Sequence, residues 1–122
     1  MEVSFFCCIF AIGKENNNKL KNITTMKVLS KSYKAGYCSE YVSHTSKNGE
    51  DMFFKISVEN GNCYFRLRVR LLTKNNEIDN VIANEDDIEG AEQINYIGRD
   101  EERIFEGKRN IEVAKKWIKK VF

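Results

Sequence analysis

The sequence predicts an α+β fold: an antiparallel β-meander of four to five strands followed by two C-terminal helices, in a single domain over residues 1–122. Three observations predict it. Asn48-Gly49 and Asn60-Gly61 separate stretches in which apolar and polar residues alternate. Asn-Gly is the strongest short-range hairpin signal, because both central residues of a type I′ turn need positive φ. Between Ile104 and Val121 apolar residues recur at helical spacing, with lysines opposite.

Val3 to Ile12 is almost continuously apolar. It is far shorter than the roughly 20 residues that span a bilayer, and Glu2 opens the run where a signal peptide would carry a basic segment. It reads as a buried strand or as an edge strand that pairs with another subunit. The alternative is that residues 1–25 form an N-terminal extension, since Met26 can itself serve as a start. Gly13 to Asn22 is a polar, Asn-rich loop. Ile23 to Tyr33 alternates weakly and reads as a strand, which Ala35-Gly36 breaks.

Tyr37 to Thr73 is the centre of the reading. With a two-residue turn at each Asn-Gly, Met52 faces Thr45, Ile56 faces Phe65 and Phe54 faces Leu67. One sheet face then collects Met52, Phe54, Ile56, Val58, Cys63, Phe65, Leu67, Val69 and Leu71 as a core. The other carries Phe53, Lys55, Ser57, Tyr64, Arg66, Arg68 and Arg70, with Glu40, Val42 and His44 across the first hairpin. Lys55 would sit opposite Arg66, a like-charge pair that costs up to roughly 1 kcal/mol. Arg66, Arg68 and Arg70 would stand about 7 Å apart along one strand. Such a row needs acids or a bound anion over it. The acids available to it are Glu40 and the Glu85–Glu92 segment; the alternative is a ligand whose phosphates are gripped by the guanidinium forks, with Phe53 or Tyr64 offering a ring to a base.

Lys74 to Glu77 reads as a turn into a short strand, Ile78 to Ala83. Asn84 is a good N-cap, with Glu85, Asp86 and Asp87 in the first turn of a helix that Gly98 closes. The D-x-D-x-D-G spacing of a calcium loop is absent. Asp100 caps a second helix running to Phe122, with Ile104, Phe105, Ile111, Ala114, Trp117, Ile118 and Val121 as its apolar stripe. Arg103 and Arg109 lie in this helix and are candidates to join the anion site.

The chain carries a net charge of +2, so attraction to nucleic acid is disfavoured unless cations cluster locally. The four cysteines form no C-x-x-C pair, and with one histidine there is no zinc spacing, so no metal or cofactor is expected and the thiols read as reduced, in a bacterial cytoplasm. Any triad must recruit His44, and Cys38 lies six residues along the same strand, roughly 20 Å away. No phosphate-binding loop or dinucleotide fingerprint appears. The expectation is a non-enzymatic binder rather than a catalyst.

In size, in element order (sheet, then helices) and in its arginine and aromatic content, the chain resembles the first family of Thoeris anti-defence proteins, phage proteins that sequester cyclic ADP-ribose-type signals. The resemblance implies a homo-oligomeric sponge for a small nucleotide. Arginines such as Arg66, Arg68 and Arg109 would take the phosphates, and the stretch Ile94-Asn95-Tyr96 would take adenine. Two alternatives stay open: a protein-binding inhibitor of the anti-CRISPR or toxin-antagonist kind, and a small nucleic-acid-binding protein using the same arginines.

Overall fold

The computed structural model describes residues 26–34, 36–61, 63–73, 78–95 and 100–122. The readings placed on residues 1–25, Lys74–Glu77, Tyr96 and Gly98 lie outside them. Five strands run in chain order as an antiparallel meander: β1 (Met26–Lys34), β2 (Tyr37–Thr45), β3 (Asp51–Asn60), β4 (Tyr64–Leu72) and β5 (Ile78–Asn84). A two-residue strand, β6 (Ile94–Asn95), pairs with Tyr64 and Phe65 on the edge of β4 that β5 also uses. One helix, α1 (Asp100–Val121), crosses one face of the sheet.

The first hairpin departs from the expected register. Ser46 N donates to Glu50 O at 2.8 Å and Gly49 N to Ser46 O at 2.9 Å, leaving a three-residue loop in which Gly49 takes φ +87°. This is a longer hairpin loop with glycine in the left-handed position. The Ser46 hydroxyl holds it by accepting from Asn48 N (3.2 Å) and Glu50 N (3.1 Å). Thr45 therefore faces Asp51, and His44 faces Met52. A one-residue slip turns a strand over. Glu40, Val42 and His44, expected on the basic face, lie on the core face instead, while Tyr41 and Ser39 take the basic one.

The second hairpin slips further but by an even number. Gly61 N donates to Tyr64 O at 2.7 Å, and Val58 faces Leu67 where Cys63 was expected. The core faces of β3 and β4 are therefore as expected, but Cys63 is exposed in the turn and lies outside the core. Lys55 faces Arg70 rather than Arg66, and Arg66 faces Glu59. Gly61 is required by proximity: a Cβ there would lie 2.7 Å from Tyr64 O.

The helix expected from Asn84 to Gly98 is a single 3-10 turn, Glu85–Asp87, started by Asn84 N donating to the Asp87 carboxylate at 2.9 Å. Gly90, at φ +92°, stops any continuation. The chain then returns to the sheet and buries Ile88 and Ile94. Asn110 of α1, itself buried, secures this segment by donating to Glu92 O at 2.6 Å and accepting from Glu92 N at 3.2 Å.

Ile111, Ala114 and Ile118 are fully buried against Val42, Phe54, Ile56, Leu67 and Val69. Phe105 and Val121, expected in the apolar stripe, are 76% and 48% exposed. The C-terminal carbonyls of a helix lack internal partners. Here Lys47 N donates to Phe122 O (2.7 Å) and its ammonium to Lys120 O (3.0 Å), so the first hairpin turn caps the helix. Phe122 folds back between Phe54 and Trp117, ring centroids 5.5 and 6.1 Å away.

The displaced Glu40 is only 2% exposed, and α1 supplies its counter-charge. Lys115 Nζ lies 2.6 Å from Oε1 and 3.1 Å from Glu112, and the Tyr33 hydroxyl donates to Glu40 Oε2. Burial and the Glu40 hydrogen bond push the Tyr33 hydroxyl far above its ordinary range. Burial opposes the Lys115 charge, but the bonds to Glu40 and Glu112 outweigh it and raise its pKa.

Two outcomes follow for stability. Lys115→Met leaves Glu40 buried without its counter-charge, and should cost about 3 kcal/mol in denaturant unfolding, with Glu40→Met/Lys115→Met recovering most of it; a loss below about 1 kcal/mol would show the pair to be unimportant. Gly107→Ala places a Cβ 2.8 Å from Cys38 Sγ. It should therefore destabilise, although alanine in a helix interior normally gains about 1 kcal/mol over glycine. Adding Cys38→Ala should restore the gain.

Candidate anion-binding face

The face of the sheet away from α1 is built by alternation along β1 to β4. The register brings Ser30, Tyr41, Lys55, Arg70 and Val81 into one row across five strands, and Ser32, Ser39, Ser57, Arg68 and Asn84 into the next. Lys27, Lys34 and Arg66 share this side, and the carboxylates over β1 to β4 are Asp51 and Glu59. Six cations thus stand against two acids, while the chain as a whole is nearly balanced.

The cations are held in distinct ways. Arg70 Nη1 donates to Glu59 Oε2 (3.0 Å) and to Ser57 Oγ (3.2 Å), and Arg68 lies 3.8 Å from the other Glu59 oxygen. The Ser57 hydroxyl itself donates to Glu59 at 2.6 Å. Arg66 stacks over the Tyr64 ring at 5.3 Å and donates to its hydroxyl at 3.0 Å. The Lys55 ammonium stands 5.6 Å over the Tyr41 ring. Burial works to raise the Glu59 pKa, but the hydrogen bonds from Arg70 and Ser57 and the charges of Arg70 and Arg68 hold it below the usual range. The acid over the arginine row is thus Glu59 on the neighbouring strand; Glu92, in the segment expected to cover it, pairs instead with Arg109.

The expected site residues divide between the two sides of the sheet. Arg66, Arg68, Arg70, Tyr64 and Phe53 share the open face, with Phe53 lining a shallow depression of ≈ 170 Å³ beside Leu72. Asn95 is exposed opposite Tyr64 at the end of that face. Arg103 and Arg109 belong to the helix side: Arg103 stacks on core Phe65 at 5.6 Å, and Arg109 reaches Glu92 at 2.6 Å. They do not converge with the row. Ser57 lies on the face where it was expected, while Tyr41 and Glu59 were missed. Alternation alone places Ser57 and Glu59 beside Lys55, whereas Tyr41 depends on the parity of the first turn.

Cys38 and His44 lie buried on the helix side. The Cys38 thiol donates to Ile104 O at 3.3 Å, and burial, with Glu40 adding and Lys108 opposing, pushes it up to about 11. A nucleophilic thiol is shifted the other way. Among the described residues no three acidic, histidine or cysteine side chains cluster to hold a metal, and no helix is long and apolar enough to cross a membrane. No protein-family model matches the chain, and neither a curated protein nor a solved structure matches it.

A depressed carboxylate stabilises the fold above its unfolded pKa, near 4.5, and the contribution disappears as pH falls through the folded value. Glu59→Gln should therefore melt below wild type at pH 7, and the gap should close as pH falls below about 4.5 and through the depressed folded value. A gap that persists unchanged at low pH would show that Glu59 acts by shape and not by charge.

Proposed function

We propose that this protein is a non-catalytic binder of phosphate-bearing nucleotides, and that its open sheet face is the binding surface. The observation that carries this reading is that, over β1 to β4, six described cations share the open face with two described carboxylates, in a chain that is nearly neutral. Arginine forks match phosphate oxygens in pairs, and the rings of Tyr41 and Tyr64 stand beside those cations to take a base. Sequestration of a cyclic ADP-ribose-type signal, in a phage or prophage counter-defence role, is the form of this function that the sequence resemblance implies. Arg66, Arg68 and Arg70 are the phosphate-binding residues of the proposal; Arg103 and Arg109, on the helix side, have no part in it.

Mass spectrometry of ligand retained through purification, with thermal-shift screening of ADP-ribose-type and cyclic nucleotides and short oligonucleotides, tests the proposal. A nucleotide at about 100 times its Kd adds about 2.7 kcal/mol, a shift of several degrees. The shift should vanish in Arg66→Ala/Arg68→Ala with the fold unchanged, and the ligand should be recovered intact. No shift with any nucleotide would overturn the binding reading; conversion of the ligand would overturn the non-catalytic one.

A further inference from the structure

We infer that the open face takes an extended single-stranded polynucleotide, several nucleotides at a time, rather than one compact nucleotide. The inference rests on the nucleotide reading above and specifies its ligand. The cations are dispersed. From β1 to β4 the face spans three strand spacings, about 14 Å, and Arg66 to Arg70 spans about as much again along β4. A compact nucleotide seated on the arginines of β4 leaves Lys27 and Lys34, three strand spacings away on β1, without a phosphate. A chain of phosphodiesters crossing the strands meets them in succession.

The rings are dispersed in the same way: Tyr41 on β2, Phe53 on β3 and Tyr64 on β4, each half-buried. Open sheet faces that combine aromatic platforms with cations stack successive unpaired bases while the backbone follows the charge. A duplex hides its base faces and cannot use such platforms. Net charge alone does not predict this surface, because Glu40 is buried under α1 and Glu92 is held by Arg109, both away from the face. Glu59 occupies Arg68 and Arg70 in the free protein. A polynucleotide phosphate displaces it, so Glu59 is an internal competitor.

Fluorescence anisotropy on the full chain, with labelled oligothymidylates of about two and about twelve nucleotides, a duplex of equal length and a cyclic mononucleotide, tests the inference. The twelve-nucleotide strand should bind at least tenfold more tightly than the dinucleotide, the duplex or the cyclic nucleotide. Its log K against log salt should fall with a slope of about −2 to −3, as for three to four phosphate contacts on a single strand. Arg66→Ala and Tyr41→Ala should each weaken it about tenfold. Glu59→Gln should tighten it, and Lys119→Ala, on the exposed side of α1, should leave it unchanged.

Equal binding of the cyclic nucleotide and the long strand would overturn the inference and leave the nucleotide reading intact. Duplex bound as tightly as single strand would overturn base stacking as the mode of recognition, and the inference with it. Loss with Lys119→Ala but not with Arg66→Ala would move the contact to the helix and overturn it. No binding of any probe would overturn the inference, and the nucleotide reading then stands or falls by the thermal-shift screen.

Discussion

A hydroxyl at the base of a tight turn sets the sidedness of half this sheet. Ser46 accepts two backbone N–H groups and holds Gly49 in the left-handed region, so the first loop has three residues. An odd loop and an even loop place β1 and β2 with opposite faces toward the helix. With three residues, Glu40 and His44 go under α1, and Tyr41 and Ser39 go to the open side. Glu40 then needs a cation in a dry place, and Lys115 meets it there. The hairpin also presents Lys47 to the carbonyls at the end of α1. The turn, the buried ion pair and the helix cap are therefore one arrangement.

The same parity sorts charge. Removing Glu40 from the open face leaves Glu59 as the carboxylate among the arginines there, and Glu59 is shared between two of them. Over β1 to β4, a nearly neutral chain presents a face on which cations outnumber carboxylates. The electrostatic property that suggests a ligand is thus a product of topology.

How much of this was readable beforehand depends on the kind of signal. The meander, the core faces of β3 and β4 and the last helix follow from periodicity, which averages over many residues. The pairing partners do not, because Asn-Gly marks where a chain turns without stating how many residues the loop contains. At Asn60-Gly61 the error was even and harmless to the faces; at Asn48-Gly49 it was odd and moved Glu40 and His44 through the sheet. The acidic segment misled for another reason. Asn84 and three acids start a helix well, but Gly90 at positive φ and the burial of Ile88 and Ile94 favour a return to β4, and Asn110 satisfies the backbone that a helix would have satisfied itself. The apolar stripe with Trp117 marks the last helix as the lid on the core face, which is where it lies, and that placement sets Arg103 and Arg109 on the side away from the arginine row.

The Lys47–Phe122 contact also bears on how the chain finds its fold. Every strand pair in the meander joins neighbours in sequence, so each hairpin closes a short loop at little entropic cost. The helix cap joins the turn between β2 and β3 to the last residue and encloses β3, β4, β5 and β6 between them. The structure therefore combines a sheet of sequence-local pairings with one long closure. Glu40 on β2 and Lys115 on α1, buried together, are brought into contact by that same closure.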